Sequence, residues 1–146
     1  MTKPIDRELF VNTVKRILGS SAKEQKVLVI DDDKDVRDLM SRMLDDIGVR
    51  PIEARDGKEG LERTKDKPSL IVLDLEMPRM DGFEFLERYA EEYAKENRAP
   101  ILVYSGKDIT DVQEKLLNER VVGFVKKDET SMDELSERIS KLIKNS

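Results

Sequence analysis

Four stretches of the chain end in side chains that could work together on a phosphoryl group. VLVI runs into Asp31, Asp32 and Asp33, LIVL runs into Asp74, ILVY is followed by Ser105 and Gly106, and GFVK leads to Lys127. Three carboxylates gathered within a few ångströms repel by ~4 kcal/mol per pair even at an effective dielectric near 20, so such a cluster requires compensating cations. Lys127 supplies one positive charge. The remaining deficit favours a divalent ion, and the all-oxygen donor set points to Mg2+, which binds through one or two carboxylates, waters and phosphate oxygens. Phosphoryl transfer asks a protein chiefly for positioning and for neutralisation of the equatorial oxygens; the metal, Lys127 and the Ser105 hydroxyl can each address one. Asp74 is the favoured nucleophile because it ends the most apolar run and should be held rigidly. The LEMPRMDG segment after it can turn a backbone carbonyl towards the metal before Gly82 opens the next helix.

These residues can meet only if the chain brings distant strand ends together. From residue 26 the sequence alternates short branched apolar runs with longer stretches at helical spacing. KVLVI, VRPIEA, LIVLDL, PILVYSG and VVGFVK are each followed by a helix candidate. Five such pairs predict an α/β fold, a doubly wound five-stranded parallel sheet with helices on both faces. VLVI, LIVL and ILV belong in its middle, whereas VRPIEA, with Pro51, suits an edge. Ligands of such sheets collect beyond the carboxyl ends of the strands, where Asp31, Asp32, Asp74, Ser105 and Lys127 would converge.

Composition narrows the function further. At 146 residues the chain supports one compact domain. There is no cysteine, which removes disulfides and thiolate metal sites, and no histidine, which removes histidine triads, the usual zinc enzymes and a phosphohistidine carried by the chain itself. Any phosphodonor must come from outside. A formal charge of -5 without a basic stripe argues against direct nucleic-acid binding. The absence of an apolar run near ~20 residues argues against a membrane span, and the expectation is a cytoplasmic protein.

Taken together, VLVIDDD, LIVLDLEMPRMDG, ILVYSG and GFVKK resemble, in order and spacing, the marked positions of response-regulator receiver domains of bacterial two-component signalling, the CheY-like superfamily. The likeness spans about residues 25 to 144. It implies a flavodoxin-like (βα)5 receiver with strand order 2-1-3-4-5. It also implies a phosphoprotein that takes a phosphoryl group on Asp74 from a histidine kinase or a phosphotransfer protein of a phosphorelay, and changes its contacts with a downstream protein or adjoining domain. In that likeness Asp32 and Asp74 bind Mg2+ directly with the Glu76 backbone carbonyl, and Asp31 helps through water. Ser105 takes the phosphoryl-sensing hydroxyl position, Lys127 the conserved lysine position, and Phe124 that of the aromatic whose rotamer reports phosphorylation. Such a domain is a switch rather than an enzyme, catalysing only its own phosphorylation and slow dephosphorylation. One departure is plain: receivers usually follow the lysine with a cis-proline, and here Asp128 stands there, for which a cis bond would cost about 2.5 to 4 kcal/mol.

Other readings of the same residues remain open at this point. Asp31 and Asp33 mimic the DxD opening of haloacid-dehalogenase-type phosphohydrolases, but that family needs a further acid pair beyond the lysine. Asp31, Asp33 and Asp35 imitate a calcium loop, which fails at Val36, where glycine is needed, and at Arg42, where a bidentate acid belongs. A degenerate receiver that only mediates contacts would lack a modifiable Asp74. Lys126 competes with Lys127, and Phe124 could simply be core. Residues 1–24 carry Lys3, Pro4 and a helix with Phe10, Val14, Ile17 and Leu18 on one face, similar to the tail of an upstream receiver, followed by a GSSAKEQ linker. The expectation is an extra N-terminal helix in a piece of a tandem-receiver protein, ahead of a receiver over residues 25–146. Its unpartnered apolar face would favour packing on a neighbour or a homodimer.

Overall fold

The computed structural model describes residues 25–144. The N-terminal helix, the upstream-receiver tail and the homodimer expectation built on them lie outside the described residues. Five strands alternate with five helices: β1 (Lys26–Ile30), α1 (Lys34–Asp46), β2 (Arg50–Ala54), α2 (Gly57–Arg63), β3 (Leu70–Leu73), α3 (Gly82–Glu92), β4 (Ile101–Ser105), α4 (Asp111–Arg120), β5 (Gly123–Lys126) and α5 (Met132–Lys144). All strand pairs are parallel, in the order β2-β1-β3-β4-β5. The expected doubly wound sheet is thus observed, with β2 at one edge. There Pro51 sits opposite Val27 and lacks an N–H that an edge position does not need.

Alternation along the central strands divides the core into two layers. Val27, Val29, Val72 and Leu102 face α1 and α5, meeting Met40, Leu44, Leu135 and Ile139. Leu28, Ile30, Ile71, Leu73 and Val103 face the other way, onto Phe85, Leu86 and Tyr89 of α3 and Leu117 of α4. Because every residue of β3 is buried, the strand can point a side chain at each layer in turn without exposing either. Fully burying a side chain of this size is worth about 1.5–3 kcal/mol, so the sheet centre is the most strongly fixed part of the chain.

Local chemistry sets the helix starts. Asp33, Asp56 and Asp81 cap α1, α2 and α3, each accepting a backbone N–H with its carboxylate, and Thr110 with Gln113 forms a full capping box on α4. Asp33 and Asp56 follow their strands within three residues, whereas Asp81 and Thr110 close longer loops on the same rim. Among the described residues no helix is long and apolar enough to cross a membrane.

Candidate phosphoacceptor site

Strand register brings the two key aspartates side by side. Ile30 pairs with Leu73, and the Asp74 N–H donates to the Ile30 carbonyl at 2.9 Å, so Asp31 and Asp74 leave adjacent strands at the same level. Val103 pairs with both Leu73 and Phe124, and Ser105 with Lys126, which carries Ser105 and Lys127 to the same rim. One oxygen each from Asp31, Asp32 and Asp74 lie within 4.8 Å of one another. Asp31 and Asp74 are buried and Asp32 is exposed, so the cluster opens to solvent on one side. There a shallow cleft of about 410 Å3 lies beside Asp32, bordered by Glu76, Met77 and Lys107.

The polar contacts knit these residues into one unit. Lys127 Nζ donates to Asp31 Oδ2 at 2.7 Å and to Asp74 Oδ2 at 3.4 Å. Asp74 Oδ1 accepts from the Ser105 hydroxyl at 2.7 Å and from the Glu76 N–H at 3.2 Å. Asp31 Oδ1 accepts from the Asp33 N–H at 2.9 Å. Lys126, the alternative lysine, turns away and pairs with exposed Asp108. The Ser105 hydroxyl already rests against Asp74. Any switching motion therefore starts from a serine that is engaged.

Electrostatics mark the site as short of positive charge. Burial, reinforced by the nearby Asp74 charge, pushes the Asp31 carboxyl above the ordinary carboxylate value despite its bonds to Lys127 and Asp33. Burial also works against the Lys127 ammonium, but its hydrogen bond to Asp31 and the two carboxylate charges outweigh this and raise its pKa. One lysine does not neutralise three clustered carboxylates. An all-oxygen set with one exposed member fits a hard divalent cation that keeps some of its water, which is the donor chemistry of Mg2+.

Three comparisons bear on this geometry. The model of the response regulator receiver domain matches residues 27–140. The chain belongs to the response regulator receiver family. Among curated relatives, the receiver is 36% identical to a probable transcriptional regulator, ycf27, of Porphyridium aerugineum over 94 residues, 64% of this chain and 37% of that one. It is 35% identical to the response regulator MprA of Mycolicibacterium vanbaalenii over 100 residues, 68% of this chain and 39% of that one. It thus spans well under half the length of these two relatives. Among solved structures, the receiver domain of the Francisella response regulator 1452 superposes with a TM-score of 0.72 at 29% identity, covering 84% of this chain and 98% of that one. The chemotaxis protein CheY4 of Vibrio cholerae does so with a TM-score of 0.71 at 25% identity, covering 82% of this chain and 99% of that one.

Within this receiver, Phe124 lies on β5, partly buried against the layer that holds Leu73, Val103 and Leu117. After Lys127 the chain makes a short 310 turn, Lys127–Glu129, and no cis peptide occurs among the described residues, so the Lys127–Asp128 bond is trans. The Lys127 ammonium also sits 5.7 Å from the centroid of the Tyr104 ring. Tyr104, directly before Ser105, carries no sign in the sequence that its ring would meet that lysine.

Proposed function

We propose that this receiver is a phosphorylation-dependent signalling switch in which Asp74 accepts a phosphoryl group from a histidine kinase or phosphotransfer protein. The observation that carries the proposal is the buried Asp74 carboxylate, flanked by Ser105 and Lys127 and sharing a metal-sized cluster with Asp31 and Asp32. Asp31, Asp32, Asp74 and the Glu76 carbonyl would hold Mg2+. Magnesium, when bound, supplies the charge that lets an anionic phosphoryl group approach the carboxylates.

The chain's own groups do the rest. An Asp74 oxygen forms the new bond to phosphorus as the phosphorus–nitrogen bond of a donor phosphohistidine breaks, and the departing imidazole nitrogen keeps the electron pair. Lys127, held against Asp31, is within reach of a phosphoryl oxygen. The Ser105 hydroxyl must exchange its bond to Asp74 for one to the phosphoryl group, which loosens its links to the Lys107 and Leu75 N–H groups. Phe124, neighbouring this region on β5, is positioned to follow, shifting a two-state equilibrium of the surface formed by α4, β5 and α5. Output then passes to an adjoining domain or a separate protein. The curated relative named as a probable transcriptional regulator supports an adjoining domain, since it is much longer than the matched segment. Glu76 and Lys107, on the cleft, set the lifetime of the phosphoryl group by controlling the approach of water.

The test is labelling with acetyl phosphate in the presence of Mg2+. Wild type should gain one phosphoryl group and Asp74→Asn none, and a labelled Asp74→Asn chain would overturn the assignment. If Glu76→Ala and Lys107→Ala both leave the decay rate unchanged, the lifetime role is wrong.

A further inference from the structure

A basic side chain of α1 also reaches the backbone of the acidic rim. Arg37 does not extend into solvent; its side chain is only 14% exposed and folds back over the helix start. Its Nη1 donates to the backbone carbonyl of Asp31 at 2.7 Å, while Nε donates to Glu53 Oε1 on the edge strand β2 at 3.2 Å. The second oxygen of Glu53 accepts from the Ser41 hydroxyl at 2.9 Å, so the carboxylate that holds Arg37 is itself held. The Asp31 N–H is bound by the Ala54 carbonyl at 3.0 Å.

The carbonyl that Arg37 grips belongs to the peptide joining Asp31 to Asp32. A planar peptide gripped by a charged donor at one end has its orientation fixed, and with it the direction in which Asp32 leaves the backbone. Asp32 is the exposed member of the acidic cluster and the one with most freedom to turn away. Glu53 has a second effect. By pairing with the guanidinium it keeps Arg37 from swinging onto the clustered carboxylates, where a cation would compete with a metal.

We infer that Arg37 is a positioning residue for divalent-cation binding, acting through the Asp31–Asp32 peptide and restrained by Glu53 and Ser41. Partners one step removed from the ligands commonly alter metal affinity by ~10–100-fold. The inference rests on the reading of Asp31, Asp32 and Asp74 as the metal site.

The experiment titrates the full chain with MgCl2 by calorimetry and, in parallel, measures labelling by acetyl phosphate across a range of Mg2+ concentrations. Arg37→Met keeps the aliphatic stem and removes the donors. It should bind Mg2+ about tenfold more weakly, with a labelling rate that returns to the wild-type value at saturating Mg2+. Arg37→Lys, which can still donate to the Asp31 carbonyl, should recover part of the affinity. A lowered melting temperature with unchanged Mg2+ affinity would mean that Arg37 only packs, and would overturn the inference. Should Arg37→Met fail to fold, Glu53→Ala decides: released from its tether, Arg37 should weaken Mg2+ binding several-fold, and unchanged binding overturns the inference. A wild-type chain that binds Mg2+ but is not labelled defeats the phosphoacceptor reading alone, and one that does not bind Mg2+ defeats both.

Discussion

Helices α3 and α4 follow the strands that deliver Asp74 and Ser105, yet they are held in opposite ways. α3 buries Gly82, Phe85, Leu86 and Tyr89, and the Phe85 and Tyr89 rings stack with centroids 5.6 Å apart. Gly82 packs so tightly that a Cβ there would lie 2.8 Å from the Asp74 carbonyl oxygen and from the Leu75 Cα. α4 buries only Leu117, leaving Val112 70% and Leu116 49% exposed, although its capping box is complete. The residue that would react is thus followed by a helix anchored in the core. The residue that would report the reaction is followed by one anchored by a cap and a single leucine. A helix with so little buried apolar surface can shift at small cost, which is what an element responding to a local change requires.

The contrast can be broken most directly at the reactive side. Asp74→Asn should abolish acetyl phosphate labelling completely while leaving far-UV circular dichroism unchanged; residual labelling would move the reactive group elsewhere. Next in size, Phe85→Ala should cost about 3–5 kcal/mol in urea unfolding, as expected for a fully buried aromatic. A loss below 1 kcal/mol would show that α3 is no better anchored than α4. Saturating Mg2+ should stabilise the fold by about 2.7 kcal/mol at a concentration 100 times its dissociation constant, read as a rise in melting temperature. No rise would remove the metal from the rim.

A smaller effect comes from Asp31. Because its folded carboxyl binds a proton more tightly than an ordinary aspartate, its contribution to stability is fully present below the ordinary value of 3.8 and is lost as pH rises through the raised folded value. Metal-free Asp31→Asn should accordingly lose less stability than wild type as pH rises from the ordinary value through that raised one, followed by urea midpoints. Equal slopes would mean that burial of this carboxylate carries no strain. The smallest change belongs to α4: Leu116→Ser, on its exposed face, should alter stability by no more than about 0.5 kcal/mol. A loss of several times that would show that α4 is packed in a way its exposure conceals.

Much of this molecule was legible because its signals are local. Apolar runs such as LIVL, bounded by helical stretches, specify a parallel sheet, and Gly82 after LEMPRMD marks the start of the next helix from neighbouring residues alone. The convergence of Asp31, Asp32, Asp74, Ser105 and Lys127 followed from topology, since strand ends of a parallel sheet share one rim. Which of Lys126 and Lys127 meets the carboxylates depended on the path of the chain at the end of β5. The grip of Arg37 on Asp31 and the ring of Tyr104 beneath Lys127 were not legible, because they join residues with no pattern linking them along the chain.

The order of the elements and the residue types at the rim were therefore determined by the sequence, through short-range preferences and the periodicity of apolar positions. Tertiary structure decided which oxygen each donor meets, that Ser105 already engages Asp74, and that α4 is less firmly anchored than α3. Those outcomes turn on ångström-scale register between strands distant in sequence and on how deeply each charge is buried, quantities that exist only once the sheet has closed around its two core layers.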